Sequence, residues 1–217
     1  NTMHKALQSA YARAALTWNR FCATGSVGDF RAHNRYRVGS FGTLDTVNEL
    51  GEFTNKSIPD GEKASIQAAT KGNIINLSRQ AIINDDLRGF DRLVTASGAS
   101  ARRLENRLVY SQLTANANMG DGVALFHADH GNLATGGGSA LSVTSLTAGR
   151  TAMRKQTGLA GEPLNIAPAY LIVPAALEQT AYQLTSSNYV PATKAEINEF
   201  RAGGRTAVEP IVEPVLD

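Results

Sequence analysis

The stretches RAHNRYRVGSFGTLDTV, residues 31–47, and KASIQAATKGNI, residues 63–74, decide the architecture. In the first, Ala32, Tyr36, Val38 and Leu44 share one face, and Arg31, His33, Arg35 and Arg37 share the other. In the second, Ala64, Ile66, Ala68 and Ile74 alternate with Lys63, Gln67, Lys71 and Asn73. A period of two over such lengths specifies strands, because successive side chains point to opposite faces. The polar link between them contains Pro59-Asp60-Gly61, where proline presets φ and glycine admits a positive φ, so the chain turns. The reading is one antiparallel hairpin whose arms are Arg31–Val47 and Lys63–Ile74, each roughly 40 Å at about 3.3 Å per residue, twice an ordinary strand. Its apolar face is thin, and a lone two-stranded ribbon is marginal in water. The ribbon is therefore expected to rest on the chain's own body or on a second copy. Its basic face suits an acidic partner surface or is simply solvated.

Working outward, His4 to Phe21 reads as a helix, with Leu7, Tyr11, Ala14 or Ala15, and Trp18 at three- and four-residue steps. Gly25 to Gly28 would end it. On the other side, Asn84-Asp85-Asp86 reads as the cap of a long helix reaching about Asn116, since short acidic side chains satisfy first-turn N–H groups. Leu87, Phe90, Val94, Ala101, Leu104 and Leu108 form an apolar stripe at helical spacing, with Arg88, Arg92, Arg102, Arg103 and Arg107 mostly off it. Beyond Met119 the composition turns loop-rich. A helix is expected from Thr144 to Gln156, a buried strand at Tyr170–Val173, a helix opened by Pro174, and irregular chain from Asn188 to Gly204. Ile211 to Leu216 reads as a strand lacking a partner after it, and both ends read as cut from something longer. Helix and strand thus alternate in the second half, an α+β pattern.

The bulk numbers exclude several classes. Of 217 residues, 21 are basic and 19 acidic, a formal net charge of +2, too balanced to argue a dedicated nucleic-acid binder from bulk electrostatics. A single cysteine, Cys22, forbids an internal disulfide, and its neighbours Trp18 and Phe21 make it a small apolar residue. No run approaches the ~18 apolar residues of a membrane span, so no membrane partner is expected. There is no Gly-x-Ser-x-Gly elbow, Walker lysine or dinucleotide fingerprint, so neither cofactor nor catalytic residue is assigned. Gly136-Gly137-Gly138-Ser139 is a flexible loop that matches no phosphate-binding pattern. Phe126-His127-Ala128-Asp129-His130 is the one cluster resembling chemistry. Two imidazoles and a carboxylate could begin a zinc site, but Leu125 stands where the metallo-hydrolase run has its first histidine, and His4 and His33 lie elsewhere. A loop braced by side-chain hydrogen bonds is the reading taken, with no metal ligand assigned.

Three segments together resemble one family. They are Thr17-Trp18-Asn19-Arg20-Phe21 with Gly25-Ser26-Val27-Gly28-Asp29-Phe30, Leu77 through Leu87, and Ala124 through Leu133. In order and spacing they resemble the major head (capsid) proteins of tailed bacteriophages and prophages, in their Mu-like branch. The resemblance implies the tailed-phage capsid fold: an N-terminal arm (residues 1–30), an extended hairpin loop (31–85), the spine helix of a peripheral domain (86–118) and an axial-type α/β domain (119–217), C-terminally truncated. It further implies a non-enzymatic subunit that assembles into pentamers and hexamers of an icosahedral shell around non-specifically packaged DNA. A scaffold or maturation protease is a possible partner. The location implied is the virion capsid, reached from the bacterial host cytoplasm during assembly. Some related shells cross-link subunits through lysine and asparagine, which makes Lys56 and Lys63 near the ribbon tip worth locating. An encapsulin-like compartment shell shares the fold, and a metal-dependent hydrolase built on His127, Asp129 and His130 is the enzymatic alternative.

Overall fold

A computed structural model describes residues 2–37, 44–49, 51–53, 55, 61–74, 76, 78–84, 89–186, 200, 203–205 and 207–217. By internal contacts the chain forms two units: Asn1–Arg31 with Gln67–Ala115, and Ala32–Ile66 with Asn116–Asp217.

The first unit is helical. Helix α1 (Thr2–Arg13) packs on the long helix α3 (Gly89–Ala115), and a short α2 (Arg79–Ile83) precedes the latter. At 27 residues, α3 is about 40 Å long at 1.5 Å per residue. Gly98 is where the two helices meet, because a Cβ there would stand 2.7 Å from the Leu7 carbonyl oxygen and 3.1 Å from Ala10 Cβ. The glycine gives up helix propensity in exchange for backbone approach. One turn on, Tyr11 donates to the Glu105 carboxylate and Arg102 lies 4.6 Å above the Tyr11 ring.

The first helix is shorter than its periodicity predicts. It stops at Arg13, and only a turn of 3-10 helix (Trp18–Arg20) continues the pattern. The reason is Thr17. Its N–H and hydroxyl both donate to Asn106 Oδ1, at 3.3 and 3.1 Å, and the hydroxyl lies 2.8 Å from the Tyr110 hydroxyl. Those bonds, with an edge-on Phe21–Tyr110 contact at 5.7 Å, hold the chain against α3 in a path a continued helix would not follow. Cys22 is half-buried, and burial raises its thiol pKa, which is the opposite of an activated nucleophile.

The stripe that α3 buries also differs from the apolar one. Gly98, Asn106 and Tyr110 are buried and Arg102 is half-buried, a four-residue ridge running along the helix. Leu104 and Leu108 keep 36% and 39% of their surface, Ala101 is exposed, and Val94 is half-buried. Leu87 and the Phe90 side chain fall outside the described residues, as do Asp85 and Asp86, to which capping was assigned. Hydrogen bonding and small size select the contact face here, not hydrophobicity.

The second unit contains two small sheets. Strands β1 (Ala32–Arg37) and β2 (Glu62–Gln67) pair as a two-stranded ribbon. Arg37 meets Glu62 at 3.6 Å and the Gln67 amide donates to the Phe30 carbonyl at 2.9 Å, so the arms run in opposite directions. Among the described residues the paired arms are six residues each, roughly 20 Å. Of the alternating residues, Leu44 to Val47 and Ala68 to Ile74 lie outside the paired strands, and Val38 lies outside the described residues.

Strand β3 (Tyr170–Val173) pairs in parallel with β4 (Glu209–Val212), in the register Tyr170–Glu209 through Val173–Val212. The segment read as a strand without a partner is thus half right: it is a strand through Val212, it pairs with β3, and Pro214–Leu216 turns into 3-10 helix. Between the two strands, Pro174 caps a 3-10 turn that leads into α5 (Glu178–Thr185). Val173, Ala181, Leu184, Phe200, Val208 and Ile211 form the core. Helix α4 (Val143–Arg154) begins at a reciprocal capping box in which Ser142 and Ser145 bond each other's backbone N–H. Among the described residues no helix is long and apolar enough to cross a membrane.

Candidate functional site

The His127–His130 loop is built by backbone turns before any imidazole acts. Asn116, in the left-handed region at φ 45°, follows α3 and clamps Phe126, accepting from its N–H at 2.6 Å and donating to its carbonyl at 3.2 Å. Asn118 and Ala124 form an isolated antiparallel bridge, with Gly122 at φ 83° in the turn between them. In that turn Asp121 Oδ1 accepts from the Val123 N–H at 2.9 Å, which leaves Oδ2 facing His130.

His130 Nε2 stands 2.8 Å from Asp121 Oδ2, and its Nδ1 stands 3.2 Å from the Leu125 carbonyl. A neutral imidazole has one N–H and could serve only one of these acceptors, whereas the imidazolium serves both. The Asp121 bond accordingly raises the His130 pKa, and the same bond lowers that of Asp121. His127 caps the short turn Ala128–His130: its Nδ1 accepts from the Asp129 N–H at 3.2 Å. Asn132 bonds the His127 N–H at 3.0 Å and the Leu125 carbonyl at 2.7 Å, and Gln156 donates to the His130 carbonyl at 2.7 Å.

The sequence cluster is therefore not gathered on one point. His130 turns to Asp121, whereas His127 Nδ1 faces the backbone N–H of Asp129 at 3.2 Å and the exposed Asp129 carboxylate at 3.3 Å. His4 sits on α1 and His33 on β1. Among the described residues no three His, Cys, Asp or Glu side chains converge as a metal site would require. What the sequence reading missed is Asp121, Asn116, Asn132 and Gln156, side chains that close the loop from five to twenty-six residues away. The Asp121-Gly122 step was a visible turn signal, but nothing in spacing points it at His130.

Two hollows adjoin this loop. One, of about 450 Å³, is lined mainly by apolar groups, including Leu146, Met153, Leu171 and Val208, with Arg150 stacked 5.2 Å from Phe200. The other, of about 810 Å³, has Arg37 and Glu62 of the ribbon on one side and Asp121, His130 and Lys155 on the other. The ribbon is seated there by close backbone contact: a Cβ on Gly120 would stand 2.8 Å from the Lys63 carbonyl oxygen. Among the described residues that line them, neither hollow presents a nucleophile held by a base. Lys63 is exposed on β2, and Lys56 lies outside the described residues.

Away from its seat the ribbon is bare. Every residue of β1 except His33, and of β2 except Glu62, is exposed, including Tyr36 at 64% and Ile66 at 58%.

Comparison with known proteins places this α+β chain, with its exposed ribbon and long helix, in a family. The family model described as phage capsid protein matches residues 61–217, and the chain belongs to that family. Three solved structures share its fold. The capsid of bacteriophage JBD30 decorated with minor capsid protein trimers matches at 17% identity and TM-score 0.67, over 98% of each chain. The JBD30 procapsid matches at 15% identity and TM-score 0.68, over 99% of this chain and 96% of that one. The JBD30 capsid matches at 17% identity and TM-score 0.67, over 98% of each. No curated protein sequence matches significantly. The chain is a structural subunit of a phage capsid, in place of the compartment-shell and hydrolase alternatives.

Proposed function

We propose that this subunit, of the Mu-like branch, assembles into the pentamers and hexamers of an icosahedral head, and that the ribbon is laid across a neighbouring copy. The exposed ribbon carries this reading. A two-stranded sheet with Tyr36 and Ile66 open to water gains little from its own subunit, and a surface on the next copy would bury those side chains and complete its hydrogen bonding. Closed rings follow when such head-to-tail contacts repeat with a rotation that closes. Many modest contacts then sum to a durable shell. On this reading residues 1–30 are the arm, 31–85 the extended loop, 86–118 the spine helix and 119–217 the axial-type domain. Assembly takes place in the bacterial host cytoplasm, with a scaffold or maturation protease as transient partner and duplex DNA as the eventual content.

The test is a full-length gene product in which residues 38–61 are replaced by a two-residue turn. The wild type is expected to form closed particles by electron microscopy and the shortened variant to remain as small oligomers. Closed particles from both would refute the role given to the ribbon.

A further inference from the structure

The near-neutral total charge conceals a segregation. The unit of Asn1–Arg31 and Gln67–Ala115 holds eleven basic and five acidic residues, a net of +6, whereas the other unit holds ten and fourteen, a net of −4. Within the basic unit, α1 contains no acidic residue and exposes Lys5 and Arg13. From Arg92 to Ala115 of α3 the sole acidic residue is Glu105, and it is turned to the α1 side, held by Tyr11 and 3.8 Å from Arg102. The other arginines are not so compensated. Arg92, Arg103 and Arg107 are exposed and form no ion pair with another described residue. At 3.6 residues per turn they share an arc of about 60°.

This arrangement has a direction. Like charges four residues apart, as at Arg103 and Arg107, disfavour a helix unless an anion lies across them. A guanidinium fork matches phosphate oxygens. Binding of single strands would require exposed rings on which bases stack, and Tyr110, the sole aromatic residue between Arg92 and Ala115, is fully buried. We propose that Arg92, Arg103 and Arg107 on the outer face of α3 contact the phosphate backbone of packaged duplex DNA without reading its sequence. The inference rests on the capsid reading and names the surface that meets the contents.

The experiment measures binding of a mixed-sequence DNA duplex to the unassembled full-length subunit by fluorescence anisotropy, between about 50 and 200 mM salt. Removing three phosphate contacts in an Arg92→Gln, Arg103→Gln, Arg107→Gln variant is expected to flatten the slope of log affinity against log salt by about 2.7. The Arg→Lys triple variant should keep most of that slope, which separates lost charge from lost fold. An Arg31→Gln, Arg35→Gln, Arg37→Gln ribbon variant should keep it too. A wild-type slope in the α3 glutamine variant, or its loss in the ribbon variant alone, overturns the proposal. Electron microscopy of the wild type distinguishes the two levels: shells with an unaltered slope in the glutamine variant defeat this inference alone, and a wild type that forms no shells defeats the capsid assembly reading beneath it.

Discussion

His130 Nε2 and Asp121 Oδ2 lie 2.8 Å apart, nine residues distant in sequence, and their bond closes the loop on which the ribbon is seated. Each partner's pKa moves toward the charged form, His130 up and Asp121 down. The contribution of Asp121 is present above its unfolded pKa of about 3.9 and is lost as pH falls through its depressed folded value. That of His130 is present below its unfolded pKa of about 6.5 and is lost as pH rises through its raised folded value. The melting-temperature difference between wild type and His130→Gln should therefore be widest between about pH 4 and 6.5 and narrow toward pH 8. A difference independent of pH would mean that the pair is not charged as described.

Gly98 separates packing from propensity. Alanine is the better helix former by about 1 kcal/mol, yet its methyl would stand 2.7 Å from the Leu7 carbonyl. Gly98→Ala is expected to destabilise by about 1–3 kcal/mol, because overpacking outweighs propensity. Ser100→Ala, on an exposed position of the same helix, should change stability by less than about 0.5 kcal/mol. Urea denaturation of both variants checks the contrast.

Thr17 and Tyr110 are coupled through their hydroxyls at 2.8 Å, and Thr17 also donates to Asn106 Oδ1. Tyr110→Phe and Thr17→Val should each cost about 1 kcal/mol. Combined, they should cost measurably less than their sum, since the first removes the partner the second needs. Additive costs in the double-mutant cycle would show that the hydroxyl pair contributes nothing.

The exposed leucines of α3 give a further contrast. Asn106→Ala should destabilise the subunit by about 1–3 kcal/mol by removing the oxygen that accepts from the Thr17 N–H and hydroxyl, whereas Leu104→Ala and Leu108→Ala should stay within about 0.5–1 kcal/mol. A stability ranking of the three variants by thermal melts would reverse if the apolar stripe were the true core contact.

How far the sequence went is visible in these same elements. The ribbon, the long helix, α4 and β3 were legible because period-two and period-3.6 patterns are local. The end of α1 was not, because Thr17 leaves the helix for partners 89 and 93 residues away. The buried face of α3 misled for a related reason: Gly98 and Asn106 carry no hydrophobic signal, and Leu104 and Leu108 carry a strong one while remaining exposed. The partner of His130 was invisible for the same cause, a contact formed by a turn whose direction spacing does not encode. What the local signals left open at β4 was settled by its parallel pairing with β3.

The most direct measurement is a cryo-electron microscopy reconstruction of particles formed by the full-length product. It should show the β1–β2 ribbon seated at Gly120 on its own subunit and lying against a second copy along its length, with Tyr36 and Ile66 covered. Tyr36 and Ile66 covered by their own subunit or left open to water, or a protein that remains monomeric at every concentration, would contradict the account.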